Sequence, residues 1–273
     1  MRIILATCML LTCAACGPAG GGHSVVAAFY PLAYAAREVG GTAYAVHDLT
    51  PAGAEPHDVE LTPRAIAEIQ RAGVVLYLSH GFQPAVSDAV RRASGKRVDV
   101  LAGLPVRRSD PHVWLDPVLY ARIVRRVGAA LGRRGRADAL AARVLRLDGA
   151  YRRGLAHCTR RDFVTSHAAF GYLAARYGLR QIAITGIDPE SEPSPRELAS
   201  LARLVRSEHI GTVFFERLVS PKLAQTVARE AGARAAVLDP IEGLTPQEAR
   251  DGATYLTLMR RNLAALREAL GCR

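Results

Sequence analysis

The chain has 273 residues, with 36 Lys and Arg against 25 Asp and Glu, 49% hydrophobic residues and 22% charged ones. This length and composition suit one large domain or two ordinary lobes with a real core, and they exclude a disordered chain; five Cys in 273 residues exclude a disulfide-stapled mini-protein. The net charge of +11 raises a nucleic-acid reading, which stands or falls on where the basic residues sit.

Met1-Arg2 is followed by an apolar stretch from Ile3 to Ala15, then by Cys16-Gly17-Pro18 and Gly20-Gly21-Gly22. A membrane-spanning helix needs about 20 apolar residues. This run is shorter and ends in small residues, as a cleaved export signal does. Leu11-Thr12-Cys13-Ala14-Ala15-Cys16 resembles a bacterial lipobox, so residues 1–16 are read as a signal peptide and Cys16 as the residue acylated after cleavage. Cys13 and Cys8 each follow Thr and fit less well; a plain signal peptide cut near the glycines is the alternative. Cleavage removes only Arg2 among the charges, so the basic surplus belongs to the folded part. Cys158 and Cys272 remain, an even pair that an oxidising compartment allows to form a disulfide, and the sequence leaves open whether they meet.

Short apolar runs then alternate with helical patterns: Val25–Ala28, Ala43–Val46, Val74–Leu78 and Val98–Leu101 before residue 110, and Phe163–Thr165, Ile182–Thr185, Thr212–Phe215 and Ala235–Leu238 after residue 160. Such alternation predicts parallel sheets covered by helices. Between the two sets, Asp116–Leu131 and Ala137–Ala156 read as helices, the second with an apolar stripe of Leu140, Val144, Leu147 and Tyr151. The expected fold is α/β, with two lobes that each carry a parallel four-stranded sheet, joined by a rigid bridging helix rather than a loose linker. In residue numbers, an N-terminal lobe covers 17–135, the bridging helix 136–157 and a C-terminal lobe 158–273. Helix starts are marked by a capping side chain and Pro at Thr62-Pro63, Asp116-Pro117, Ser194-Pro195, Ser220-Pro221 and Thr245-Pro246. Ser194 with Glu197 and Thr245 with Glu248 also fit the capping box.

Two loops share an acidic-Pro-His core, Glu55-Pro56-His57 and Asp110-Pro111-His112, and each runs directly into a capped helix. Pro stiffens the backbone before the imidazole, which is the rigidity a metal ligand needs. His167 follows the strand Phe163–Thr165 and precedes a helical run, where the positive end of a helix dipole favours a neutral, coordinating ring. Asp239, at the end of the strand Ala235–Leu238, is the candidate fourth ligand. Ligands in open parallel sheets bind beyond the carboxyl ends of strands, where His167 and Asp239 lie. Three imidazoles and one carboxylate suit Zn²⁺ better than Mn²⁺.

Phe29-Tyr30-Pro31-Leu32 with Glu38–Gly41, Pro51–Thr62, Asp110–Asp116, Ser166–Gly178, Glu192–Pro195, Phe214–Pro221 and Leu238-Asp239-Pro240 resemble, in order, motifs of the zinc/manganese substrate-binding lipoproteins of bacterial ABC transporters. The resemblance implies a metal held in a cleft between two lobes by His57, His112, His167 and Asp239, and delivery to a membrane permease. His167 stands where the manganese branch carries a carboxylate, which implies the zinc branch. Gly81–Asp110 contains no His, so the long His-rich loop of many zinc-branch proteins is missing from that region.

His23, His47, His157 and His209 read as ordinary surface or strand-end residues, and His80 as a surface residue that only a minority reading adds to the site. The acidic loop Asp188–Glu192 reads either as a cation-attracting rim or as a solvated loop. A zinc hydrolase is the low-ranking alternative: three His can leave an open metal position, but there is no H-E-x-x-H, no G-x-S-x-G and no evident general base, so the expectation is no enzyme. The Arg residues lie dispersed among Ala, Leu and Asp without an aromatic platform, so no nucleic acid is expected; an anionic membrane surface is the better counterpart of an exported basic protein, here expected to be a monomer.

Overall fold

The computed structural model describes residues 23–107 and 110–273. The expected signal peptide, and Cys16 as the expected site of acylation, lie outside the described residues. Strands β1 (Ser24–Ala27), β2 (Ala45–Asp48), β3 (Val74–Tyr77) and β4 (Lys96–Asp99) form one parallel sheet in the order β2-β1-β3-β4. A second parallel sheet repeats the pattern with β5 (Asp162–Thr165), β6 (Arg180–Ala183), β7 (Thr212–Phe215) and β8 (Arg234–Val237) in the order β6-β5-β7-β8. The central strands β1 and β5 bury three residues of four, because helices cover both faces of a parallel sheet. Edge strands hide from the apolar pattern. The run expected at Val98–Leu101 is paired instead as Lys96–Asp99, with Lys96 N donating to Gly73 O at 2.9 Å, and the run expected at Ala43–Val46 is paired as Ala45–Asp48.

Helices α1 (Tyr30–Gly40), α2 (Pro63–Arg71) and α3 (Pro84–Val90) belong to the first sheet; α6 (Gly171–Tyr177), α7 (Pro195–Ser207) and α8 (Lys222–Ala231) to the second. Between the sheets α4 (Pro117–Ala130) and α5 (Arg134–Gly154) form a long hairpin, and the chain ends with α9 (Pro246–Arg250) and α10 (Tyr255–Leu270). Helix α5 starts and ends two or three residues earlier than its apolar stripe suggests, and Leu140, Val144, Leu147 and Tyr151 are all buried. Thr62, Asp116, Ser194 and Thr245 cap their helices as expected, the last two through reciprocal capping boxes. At Ser220-Pro221 the expectation fails: Pro221 already has helical backbone angles at the cap position, and Ser220 Oγ reaches only Lys222 N at 3.5 Å.

The halves meet in a packed seam. Helix α10 returns against α5 and the first lobe: Tyr151 Oη donates to Met259 O at 2.7 Å, and Tyr255 Oη donates to Trp114 O at 2.6 Å. The rings of Tyr120 and Tyr255 stack at 4.0 Å between centroids. Aromatic pairs of this kind bury large areas with a defined geometry, which restricts motion across the seam to small displacements. The Cys158–Cys272 disulfide ties the chain beyond α5 to the C-terminus. One apolar core runs through both halves, and a smaller one lies among β5, β7, α7 and α8.

Candidate metal site

Three of the four chain segments that build the site have the form acid-Pro-X, each closed by the same hydrogen bond; the fourth carries His167 just after β5. Glu55 Oε1 accepts from His57 N at 3.0 Å, Asp110 Oδ1 accepts from His112 N at 3.0 Å, and Asp239 Oδ1 accepts from Ile241 N at 2.7 Å. In each turn the acid holds the backbone two residues on and the Pro supplies a fixed φ. The side chains presented next differ. The first two turns present His57 and His112; the third presents Ile241 to the apolar core, with φ +58, and Glu242 to the site.

The donors converge tightly. Glu242 Oε1 lies 2.9 Å from His112 Nε2, 3.3 Å from His57 Nε2 and 3.5 Å from His167 Nε2, and the Nε2 atoms of His112 and His167 are 3.3 Å apart. A tetrahedral ion with bonds of about 2.0–2.1 Å has ligand-to-ligand edges of about 3.3–3.4 Å. Four of the six donor-to-donor separations therefore scatter about the edge of a zinc-sized tetrahedron, and all four donor atoms lie within 4.8 Å of one another. His112, His167 and Glu242 are buried and His57 is nearly so. Glu242 Oε2 is buried without a hydrogen-bond partner among the described residues, a bare acceptor facing a place where a cation fits.

Carboxylates behind the rings fix their orientation. His112 Nδ1 lies 2.8 Å from Asp110 Oδ1 and His167 Nδ1 lies 2.6 Å from Glu216 Oε1, which Ser166 Oγ also contacts. Each ring is thereby held with Nε2 aimed at Glu242, the arrangement by which outer carboxylates orient metal-binding imidazoles. Burial alone pushes both rings toward the neutral form, but the carboxylates more than offset it and hold His112 above, and His167 well above, the ordinary imidazole range. Burial likewise opposes ionisation of Glu242, yet hydrogen bonds from the three imidazoles hold its carboxyl well below the usual range. Glu55, beside the site, goes the other way: burial and then the charge of Glu242 push it up to about 8. His57 packs its ring edgewise on Phe82, 4.7 Å between centroids.

The structure brings His57, His112 and His167 together, and the fourth member of the cluster is Glu242 rather than Asp239. Asp239 is outside the cluster. Its carboxylate closes the turn to Ile241, its backbone N–H donates to Asn262 Oδ1 at 2.9 Å, and burial pushes it up to about 7. Trp114 Nε1 donates to Pro240 O at 2.8 Å and pins the same turn, so Asp239 shapes the loop from which Glu242 projects. Glu216 also escaped the sequence reading, although it directly follows β7 and so obeys the strand-end rule that singled out His167. His80 is exposed, bonded through Nδ1 to Ser79 Oγ at 2.6 Å, and stands apart from the cluster; Asp188, Glu190 and Glu192 are exposed.

Residues 25–269 match the family model described as zinc-uptake complex component A, periplasmic, ZnuA. The chain belongs to this family. Among curated relatives it is 34% identical to the zinc-binding protein AdcA of Streptococcus pyogenes serotype M1, over 91% of this chain and 56% of that one. It is 32% identical to the high-affinity zinc uptake system protein ZnuA of Bacillus subtilis, over 98% of this chain and 96% of that one. The chain spans little more than half the length of the AdcA proteins it matches. Among solved structures, the Zn(II)-bound ZnuA-like domain of Streptococcus pneumoniae AdcA superposes with a TM-score of 0.78 at 35% identity, covering 90% of this chain and 98% of that domain.

Proposed function

We propose that this ZnuA-family chain is an extracytoplasmic zinc-capturing protein that delivers Zn²⁺ to an ABC permease, with His57, His112, His167 and Glu242 as the four ligands. The observation that carries the reading is the near-tetrahedral spacing of three Nε2 atoms and one carboxylate oxygen, each imidazole set on an acid-stabilised loop or strand end. Nitrogen-rich, four-coordinate sites favour zinc over manganese, which prefers oxygen donors in octahedral sets. The names of the curated relatives and the zinc in the matched AdcA domain support the same ion.

The division of donors explains how a tight site also releases. His57 and His112 come from the segment before α4; His167 and Glu242 come from the segment after α5. A small separation of the proposed lobes, 17–135 and 158–273 about the bridging segment 136–157, leaves each with two donors, too few to hold the ion. Protonation of the imidazoles acts in the same direction. No bond in a substrate has to be made or broken, so the role requires no enzyme. Acylation at Cys16 keeps the protein, as a monomer, at the outer face of the membrane near its permease.

Calorimetric titration of the metal-free protein with Zn²⁺ and with Mn²⁺ tests the reading. One tight zinc per chain, and much weaker manganese binding, is the expected outcome. Tighter manganese binding, or zinc affinity unchanged in His57→Ala, His112→Ala and His167→Ala alike, contradicts it.

A further inference from the structure

The end of the first lobe opposite the metal site carries most of what the site does not explain. In a parallel sheet all strand starts and helix ends share one side. Here Gly73 N donates to Ser24 Oγ at 3.0 Å, Ser94 N to Gln70 O at 3.1 Å, Lys96 Nζ to Ala130 O at 3.4 Å and Tyr44 Oη to Leu131 O at 2.7 Å. These bonds gather the start of β1, the end of α2, the start of β4 and the turn between α4 and α5 into one surface. Arg71, Arg92, Lys96, Arg97, Arg133 and Arg134 lie on it, all exposed. No carboxylate pairs with any of the six among the described residues, whereas Arg125, Arg143 and Arg152 farther along the hairpin pair with Asp138, Glu38 and Asp148. Residues 117–154, the hairpin whose turn forms part of this end, hold ten Arg against two Asp.

The chain enters the fold at the same end. The ring of His23 lies 5.8 Å from that of Tyr44, whose hydroxyl reaches the α4–α5 turn. Six residues lie between Cys16 and His23, a reach of at most about 25 Å when extended. The fourteen residues of α4 run from Asp116, near the metal site, to Leu131 at this end, a rise of roughly 20 Å.

We infer that this basic end of the first lobe docks on the anionic phospholipid surface of the membrane, with the metal site held about 20 Å away from the bilayer along α4. The inference rests on the proposed extracytoplasmic placement of the protein. A negatively charged leaflet attracts basic residues within about one Debye length, roughly 10 Å, and each contributes independently of any acyl chain. Arg suits this partner because its planar donors pair with phosphodiester oxygens, and none of the six cations is neutralised by a carboxylate among the described residues; Lys96 and Arg97 make only exposed bonds to backbone carbonyls. Docking adds to a lipid anchor and orients the protein: the entry of the chain and the basic surface lie at the same end, so the docked protein collects zinc from the medium and leaves the lipid surface to present its site to the permease.

Residues 17–273 contain every described element of both lobes, so the protein made without its leader serves as the probe and no acyl chain contributes. Co-sedimentation is measured with vesicles of phosphatidylcholine alone and of phosphatidylcholine mixed with phosphatidylglycerol. Binding confined to the anionic vesicles and weakened by salt is expected. The combined variant Arg92→Glu, Arg133→Glu, Arg134→Glu loses about 100-fold or more of it, while its zinc affinity is unchanged, which shows that it folds. The control Arg203→Glu, Arg229→Glu, on exposed positions of the second lobe, keeps it. Absence of binding to anionic vesicles, an equal loss in the control, or equally tight binding to a DNA duplex overturns the inference. Acylation is read separately, by lipid labelling of the full chain against Cys16→Ala, so failure of the anchor and failure of the docking surface are distinguishable.

Discussion

Glu242 Oε1 stands 2.9 Å from His112 Nε2, while the carboxylate three residues earlier, Asp239, accepts a backbone hydrogen bond from Ile241 N at 2.7 Å. One short segment thus supplies both the donor and the turn that aims it. Glu242→Ala removes one of the four proposed ligands and is expected to weaken zinc binding at least 100-fold in a chelator-competition titration. Asp239→Asn keeps an acceptor for Ile241 N and is neutral, as burial already favours for this side chain, so zinc affinity stays within about threefold. Reversal of the two effects would restore Asp239 as the ligand.

Asp110 and Glu216 act through the rings they hold. Asp110→Asn and Glu216→Gln keep size and hydrogen-bonding capacity but remove the charge opposite Nδ1 of His112 and His167. Each is expected to cost about 10- to 100-fold in zinc affinity, the usual effect of losing an outer carboxylate. With Co²⁺ in the site, a changed visible absorption spectrum would report altered ligand geometry; affinity and spectrum both unchanged would show that these carboxylates serve only the fold.

Proton linkage has a defined sign. Without metal, His112 and His167 hold protons above the ordinary imidazole range, so zinc must displace them, whereas Glu242 is already ionised. Calorimetry near pH 6 in buffers of different ionisation enthalpy is expected to show about two protons released per zinc, and affinity to fall up to about 100-fold per pH unit on acidification. The stability that raised imidazoles lend the metal-free protein is full below about pH 6.5 and lost as pH rises through their folded values. The gain in Tm on adding zinc therefore grows with pH. A gain that shrank from pH 6 to pH 8 would contradict the assignment.

The Cys158–Cys272 bond spans 114 residues of chain. Closing a loop of that length stabilises a protein by about 4–5 kcal/mol in the chain-entropy model. Cys158→Ser with Cys272→Ser is expected to lower Tm markedly, measured by calorimetry, while zinc binding to the folded fraction is retained because neither Cys approaches the site. An unchanged Tm would show that the tyrosine seam alone holds α10 in place.

Much of this was legible in the residues themselves. The existence and order of the eight strands, the bounds of the buried central ones, the long hairpin and four of five Pro-marked caps follow from apolar runs and capping chemistry, because buried parallel strands and helix starts leave local signatures. What is not local was lost. Edge strands such as β4, with Lys96 and Arg97 exposed, pair where neighbouring backbone offers partners rather than where side chains are apolar. The fourth site residue was lost for a related reason: Asp239-Pro240 resembles the two acid-Pro-His loops, and in all three the acid supports the turn. The signal was present, since the carboxylates Glu55 and Asp110 were never the donors in their own loops. Only the backbone path through Ile241, with its positive φ, moves the presented side chain one residue on, to Glu242.

The most direct test is anomalous diffraction at the zinc edge from crystals of the zinc-loaded protein. The account predicts a single strong peak bonded at about 2.0–2.2 Å to Nε2 of His57, His112 and His167 and to a carboxylate oxygen of Glu242. A peak bonded to Asp239 instead, or one lying away from the three imidazoles, would contradict it.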